Sequence, residues 1–193
     1  MSGIHLKSTL SLSLLFTLIV CLPVSMAASI GEDGIHKQDW FSITFKDVAE
    51  DISDASAQGK RLVLVFEQRG CIYCAKMHET ILSDPEVVSY LQENFHVVQF
   101  NLFGDEEVID MDGEALAEKA AARKWGVVFT PTMLFMPEQV IDGTSVSDAA
   151  VARMPGAFDK LTFLHLFQWV KEKGYEGDEH FQKYHARKIE ARG

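Results

Sequence analysis

Cys71 and Cys74 stand two residues apart in the run Cys71–Ile72–Tyr73–Cys74. Thiols at that spacing can form and break a disulfide with each other, or they can share a metal ion. A disulfide between them closes almost no loop, so it constrains the unfolded chain little and makes a poor staple. The chain has three cysteines, and the third, Cys21, lies in an apolar leader. A lone pair of this kind in an oxidising compartment reads as redox chemistry. A structural zinc site needs four ligands. His78, four residues beyond Cys74, is placed to share its helix face, while His36, His96, His165, His180 and His185 show no paired spacing. A copper or zinc carrier using Cys71, Cys74 and His78 is therefore the alternative. The leading reading calls for no metal and no cofactor beyond the redox-active disulfide, and it leaves His78 as a polar helix residue.

Such a pair needs elements that hold it. Leu62–Phe66 is a short continuous apolar run, expected as a buried strand. Ala75–Glu79 continues from the pair as helix, which places Cys71 in the first helical turn. Unpaired backbone N–H groups and the helix dipole there favour thiolate over thiol, making Cys71 the nucleophile. Cys74, one turn further in, is expected to be more buried and to act second. Glu67 ends the strand and reads either as a proton-transfer group or as a solvent-facing or capping residue. Arg69 reads as solvated, although a cation there would also favour thiolate.

The remaining elements follow from periodicity. Trp40–Gln58 has apolar residues Phe41, Phe45, Val48, Ile52 and Ala55 at helical spacing, stopped by Gly59. Ser83 and Glu86 have capping-box spacing around Pro85, which predicts a helix start with Val87, Val88 and Leu91 on its buried side. His96–Phe103 reads as strand, Gly104–Gly113 as an acidic loop, and Glu114–Trp125 as a helix capped by Gly126. Thr132–Met136 and Ala149–Met154 read as strands close enough in sequence to pair antiparallel, and Phe158–Lys173 as an amphipathic helix. This alternation implies an α/β fold with a mixed sheet covered by helices on both faces.

Lys7 is the only formal charge before Glu32, and an apolar run from Leu12 to Val20 follows it. Ser25 and Ala27 put small residues where a signal peptidase reads, so residues 1–27 are expected to be a secretory signal cleaved after Ala27. Residues 28–44 read as a mobile lead-in, 45–175 as one domain, and 176–193 as a charged tail. The formal net charge of −10 argues against a nucleic-acid partner. The protein is expected to be a monomer.

Several stretches resemble a known family. Leu62–Cys74, LVLVFEQRGCIYC, is similar to the strand, turn and active-site region of thioredoxin-fold proteins, and Thr130–Pro131–Thr132 to the cis-proline loop of that fold. CAKMHETILSDPEVVSYLQENF, FGDEEVIDMDGE, RKWGVVFTPTMLF and RMPGAF resemble periplasmic thioredoxin-related proteins of the SoxW type, over roughly residues 45–173. The resemblance implies a thioredoxin fold with a central mixed sheet of four to five strands. It also implies Cys71 as nucleophile, Cys74 as resolving thiol and a cis Pro131 beside them. Thr130 would offer its backbone to an extended substrate, and Tyr73 would contact it. The implied partners are disulfide-bearing exported proteins and a membrane thiol-electron transporter, in the periplasm. One departure stands out. Thioredoxins carry a buried acid six residues before the first cysteine, and here that position is Val65. Ile72–Tyr73 also lacks the histidine of strong oxidants between the thiols, which points to a reducing rather than a strongly oxidising protein. An oxidase or isomerase on the same fold is a further alternative, ranked lower because nothing suggests the added dimerisation domain that isomerases often carry.

Overall fold

The computed structural model describes residues 28–192, so the expected signal peptide lies outside the described residues. Strand β3, Arg61–Glu67 in chain order, is buried along its whole length and forms the middle of the molecule. It is preceded by a small hairpin of β1 (Ser29–Ile30) and β2 (His36–Lys37) and by helix α1 (Val48–Ala57). Helices α2 (Ile72–Thr80) and α3 (Pro85–Asn94) follow it and lead into β4 (Phe95–Asn101). Next come a hairpin of β5 (Glu107–Ile109) and β6 (Ala115–Ala117), helix α4 (Glu118–Lys124) and β7 (Thr132–Phe135). The chain ends with α5 (Val146–Ala149), β8 (Ala152–Pro155), α6 (Lys160–Lys171) and α7 (Phe181–Glu190).

The main sheet has four strands in the order β4-β3-β7-β8. β3 pairs parallel with β4 and antiparallel with β7, and β7 pairs antiparallel with β8, so the sheet is mixed. Successive side chains of a strand point to opposite faces. Leu62, Leu64 and Phe66 accordingly join one core with Ile52 of α1 and Ala121 of α4. Val63 and Val65 join the other core with Met77 of α2, Val87 of α3 and Phe167 of α6. The same alternation sends Glu67 to the α2 face. None of the described helices is long and apolar enough to cross a membrane.

Several expected boundaries shift. The first helix starts at Val48, not Trp40, because Asp47 caps it by accepting from the amides of Ala49 and Glu50. Lys46 just before it has φ 58°, a left-handed turn that helical spacing cannot register. Phe45, expected on the buried side, is 93% exposed. The capping box at Ser83 does not form. Asp84 caps α3, and the Ser83 hydroxyl donates to the Glu79 carbonyl. Glu114–Trp125 is helical only from Glu118; Ala115–Ala117 pairs instead with Glu107–Ile109, inside the stretch expected as loop. The last strand begins at Ala152 because α5 occupies Val146–Ala149. The charged C-terminal segment contains α7, whose Tyr184 is buried.

Candidate active site

Gly70 has φ +74°, with no atom near the place a Cβ would occupy. Its role is conformational: it turns the chain from β3 into α2 through backbone angles other residues resist. Cys71 is the N-cap of α2, and its Sγ accepts from the Cys74 amide at 3.0 Å. A side chain in that position meets the unpaired N–H groups of the first turn. Cys71 and Cys74 are joined as a disulfide with Cα atoms 5.2 Å apart. Cys71 is 7% exposed and Cys74 fully buried. The two residues between them point outward, Ile72 73% and Tyr73 59% exposed.

Pro131 comes to the same end of the sheet from the other side. The antiparallel register sets Phe66 opposite Thr132, so one step further Glu67 and Pro131 lie level. The Thr130–Pro131 peptide bond is cis. The Pro131 carbonyl accepts from the Gly156 amide at 2.7 Å, which ties this loop to the one leaving β8. Thr130 is half-buried and Pro131 buried. Tyr73 borders a groove of about 350 Å³ lined also by Lys76, Met77, Thr80, Phe158 and Lys160.

Behind the cysteines lies a buried polar chain. Glu67 is fully buried, which removes its solvent-facing reading. Its Oε1 meets His78 Nε2 at 2.8 Å, and His78 Nδ1 meets Gln38 Nε2 at 3.0 Å. His78 is a polar residue of α2, as expected, and it is buried. The ring of His36 stacks on it at 5.3 Å between centroids. Glu67 Oε2 has no protein hydrogen-bond partner. Arg69 is exposed, as its solvated reading expects. Its Nε donates to the Asp33 carbonyl at 3.0 Å, holding the N-terminal hairpin against the active-site turn. Val65 sits in the apolar core on the α2 face. Glu67, two residues on, therefore brings a carboxylate to the face where Val65 has none.

Sequence reasoning missed Gln38 altogether and joined His78 to the cysteines only as a ligand of the alternative metal carrier. The available signal was the four-residue spacing from Cys74 to His78, which puts both on one face of a helix. Gln38 carried no signal, since only the hairpin fold brings it there. For a metal carrier, both ring nitrogens of His78 are already engaged. Among the described residues no group of three His, Cys, Asp or Glu side chains converges as a metal site.

The thioredoxin-like domain family matches residues 48–171. Among solved structures, the chain is similar to a thioredoxin-fold protein from Helicobacter pylori, with 19% identity and a TM-score of 0.53 over 76% of this chain and 92% of that one. It is also similar to a thioredoxin from Thermus thermophilus, with 26% identity and a TM-score of 0.51 over 66% of this chain and 86% of that one. No curated protein sequence matches it. The four-stranded mixed sheet flanked by helices is a thioredoxin-like fold, and with the Cys71–Cys74 disulfide it supports thiol–disulfide oxidoreductase chemistry. The chain belongs to the thioredoxin-like domain family.

Proposed function

We propose that this protein is an exported thiol–disulfide reductase of the SoxW type, acting on disulfides of periplasmic proteins. The observation that carries the reading is the placement of Cys71 at the N-cap of α2, its Sγ accepting from the Cys74 amide, at the end of the sheet where the Thr130–Pro131 loop also lies. In the dithiol form, the Cys71 thiolate attacks one sulfur of a substrate disulfide. That S–S bond breaks, the second substrate sulfur leaves as thiolate and takes a proton, and a mixed disulfide to Cys71 forms. Cys74 then loses its proton to Glu67 and attacks the Cys71 sulfur. The Cys71–Cys74 disulfide forms and the first substrate sulfur leaves, so two electrons pass from protein to substrate. A membrane thiol-electron transporter returns two electrons to the resulting disulfide. Thr130 presents backbone to an extended substrate segment beside Pro131, and Tyr73 contacts it from α2.

The test is dithiol-dependent insulin reduction. Cys71→Ser abolishes turnover, and Cys74→Ser accumulates mixed disulfides on Cys71. Full activity of Cys71→Ser would end the proposal. The direction of electron flow is read from the potential of the Cys71–Cys74 couple. A value near about −270 mV supports a reductase, and one near about −120 mV an oxidase.

A further inference from the structure

We propose that His78 is a positioning residue for the second step: it pins one oxygen of Glu67 and leaves the other free to receive the Cys74 proton. This deepens the reading above and rests on Glu67 being that acceptor.

Three observations lead to it. Cys74 and His78 are four residues apart on α2 and both buried, which sets their Cβ atoms about 5–6 Å apart on one face. Strand alternation aims Glu67 at that face, where it bonds His78. Cys74 and the Glu67 carboxylate are thus both buried on the face that β3 and α2 share. Second, an ionised carboxylate accepts at both oxygens, and only Oε1 of Glu67 is used. A bare buried acceptor is costly, and this one lies on the α2 face that also carries Cys74.

Third, Gln38 settles the direction of the chain. Its Nε2 can only donate, so Nδ1 of His78 accepts and the ring proton sits on Nε2. That N–H donates to Glu67 Oε1. The opposite tautomer would turn a lone pair on the carboxylate and release it. The rings of His36, stacked, and Phe41, tilted, pack against the imidazole with centroids 5.3 and 6.0 Å away. Among the described residues no Lys or Arg pairs with Glu67, so His78 alone orients it.

The test follows decay of the mixed disulfide formed by the reduced full-length protein with a peptide disulfide, between pH 6 and 9. His78→Leu slows resolution about tenfold near pH 7, and the defect shrinks as pH rises and Cys74 ionises unaided. Alkylation of Cys71 by iodoacetamide keeps its pH profile. His78→Gln, which retains an N–H donor for Glu67, restores resolution to within about threefold. Gln38→Leu, which leaves the cysteines and Glu67 in place, shifts the profile the same way by less and reads the proposal even where His78→Leu does not fold. A normal profile in His78→Leu or Gln38→Leu overturns the role of His78. So does a His78→Gln protein as slow as His78→Leu, because the imidazole would then carry the proton itself. A normal profile in Glu67→Gln instead overturns the acceptor reading on which the proposal stands.

Discussion

His78 Nε2 lies 2.8 Å from Glu67 Oε1, and both side chains are sealed from solvent. Removing one partner of a buried polar pair strands the other, whereas removing both leaves an apolar gap. Glu67→Leu and His78→Leu are each expected to cost about 3 kcal/mol in urea unfolding, and the double variant less than their sum, with a coupling of about 2 kcal/mol. Additive costs would mean the two side chains do not depend on each other.

Tyr73 presents an aromatic face next to Cys71 without contributing to either core. Tyr73→Ala is expected to raise KM about threefold to tenfold for a folded protein disulfide and to leave unfolding stability within about 0.5 kcal/mol. Reduction of a small disulfide such as cystine should change little. An equal loss on both substrates would place Tyr73 in the chemistry rather than in recognition.

Burial pushes the Asp51 carboxyl up from its ordinary 3.8 to about 6, partly offset by the Thr44 hydroxyl that donates to it at 3.1 Å. Asp47, Asp54 and Glu50 raise it further. The folded state therefore holds this proton more tightly than the unfolded chain. Its stabilising contribution is complete below about pH 4 and is lost as pH rises to about 6. Asp51→Asn keeps an acceptor for Thr44 and removes that loss. Allowing for partial solvent screening, it is expected to stabilise by about 1 kcal/mol at pH 7 and by nothing near pH 4. A constant difference across that range would contradict the assignment.

His165 on α6 and His185 on α7 meet Nδ1 to Nδ1 at 2.8 Å, which needs one N–H and one bare nitrogen. Burial first, then the neighbouring His185, Arg192 and Lys188, hold His165 below its ordinary 6.5. For a histidine depressed in the folded state, the stabilisation is present above the unfolded value and lost as pH falls below it. Amide exchange in α7 is expected to quicken between pH 7.5 and 5.5, after correction for intrinsic rates, while β3 stays protected. Equal protection of α7 at both pH values would show the pair is indifferent to acid.

The layout around the cysteines was legible because it is local. A continuous apolar strand, a turn and a helix start are adjacent in sequence, so Cys71 and Cys74 could be placed on α2 without tertiary information. The start of α1 was not legible. Trp40, Phe41 and Phe45 share a helical period with Val48, but Lys46 breaks the backbone between them and Asp47 supplies the cap. Ala115–Ala117 has strong helical propensity and still forms a strand, because pairing Leu116 with Val108 in the hairpin outweighs propensity. Glu67, His78 and Gln38 illustrate the harder limit. Each is an ordinary polar residue alone, and only the sheet alternation, the helix face and the N-terminal hairpin bring them into one chain of hydrogen bonds.

That hairpin lies ahead of Val48, where the family match begins, yet it reaches the imidazole through Gln38 and the active-site turn through Arg69. The boundary of the family match and the boundary of the hydrogen-bonded chain around His78 therefore do not coincide. A Cys–Ile–Tyr–Cys segment grafted into another thioredoxin-like scaffold would carry over the sulfurs and leave behind their wiring.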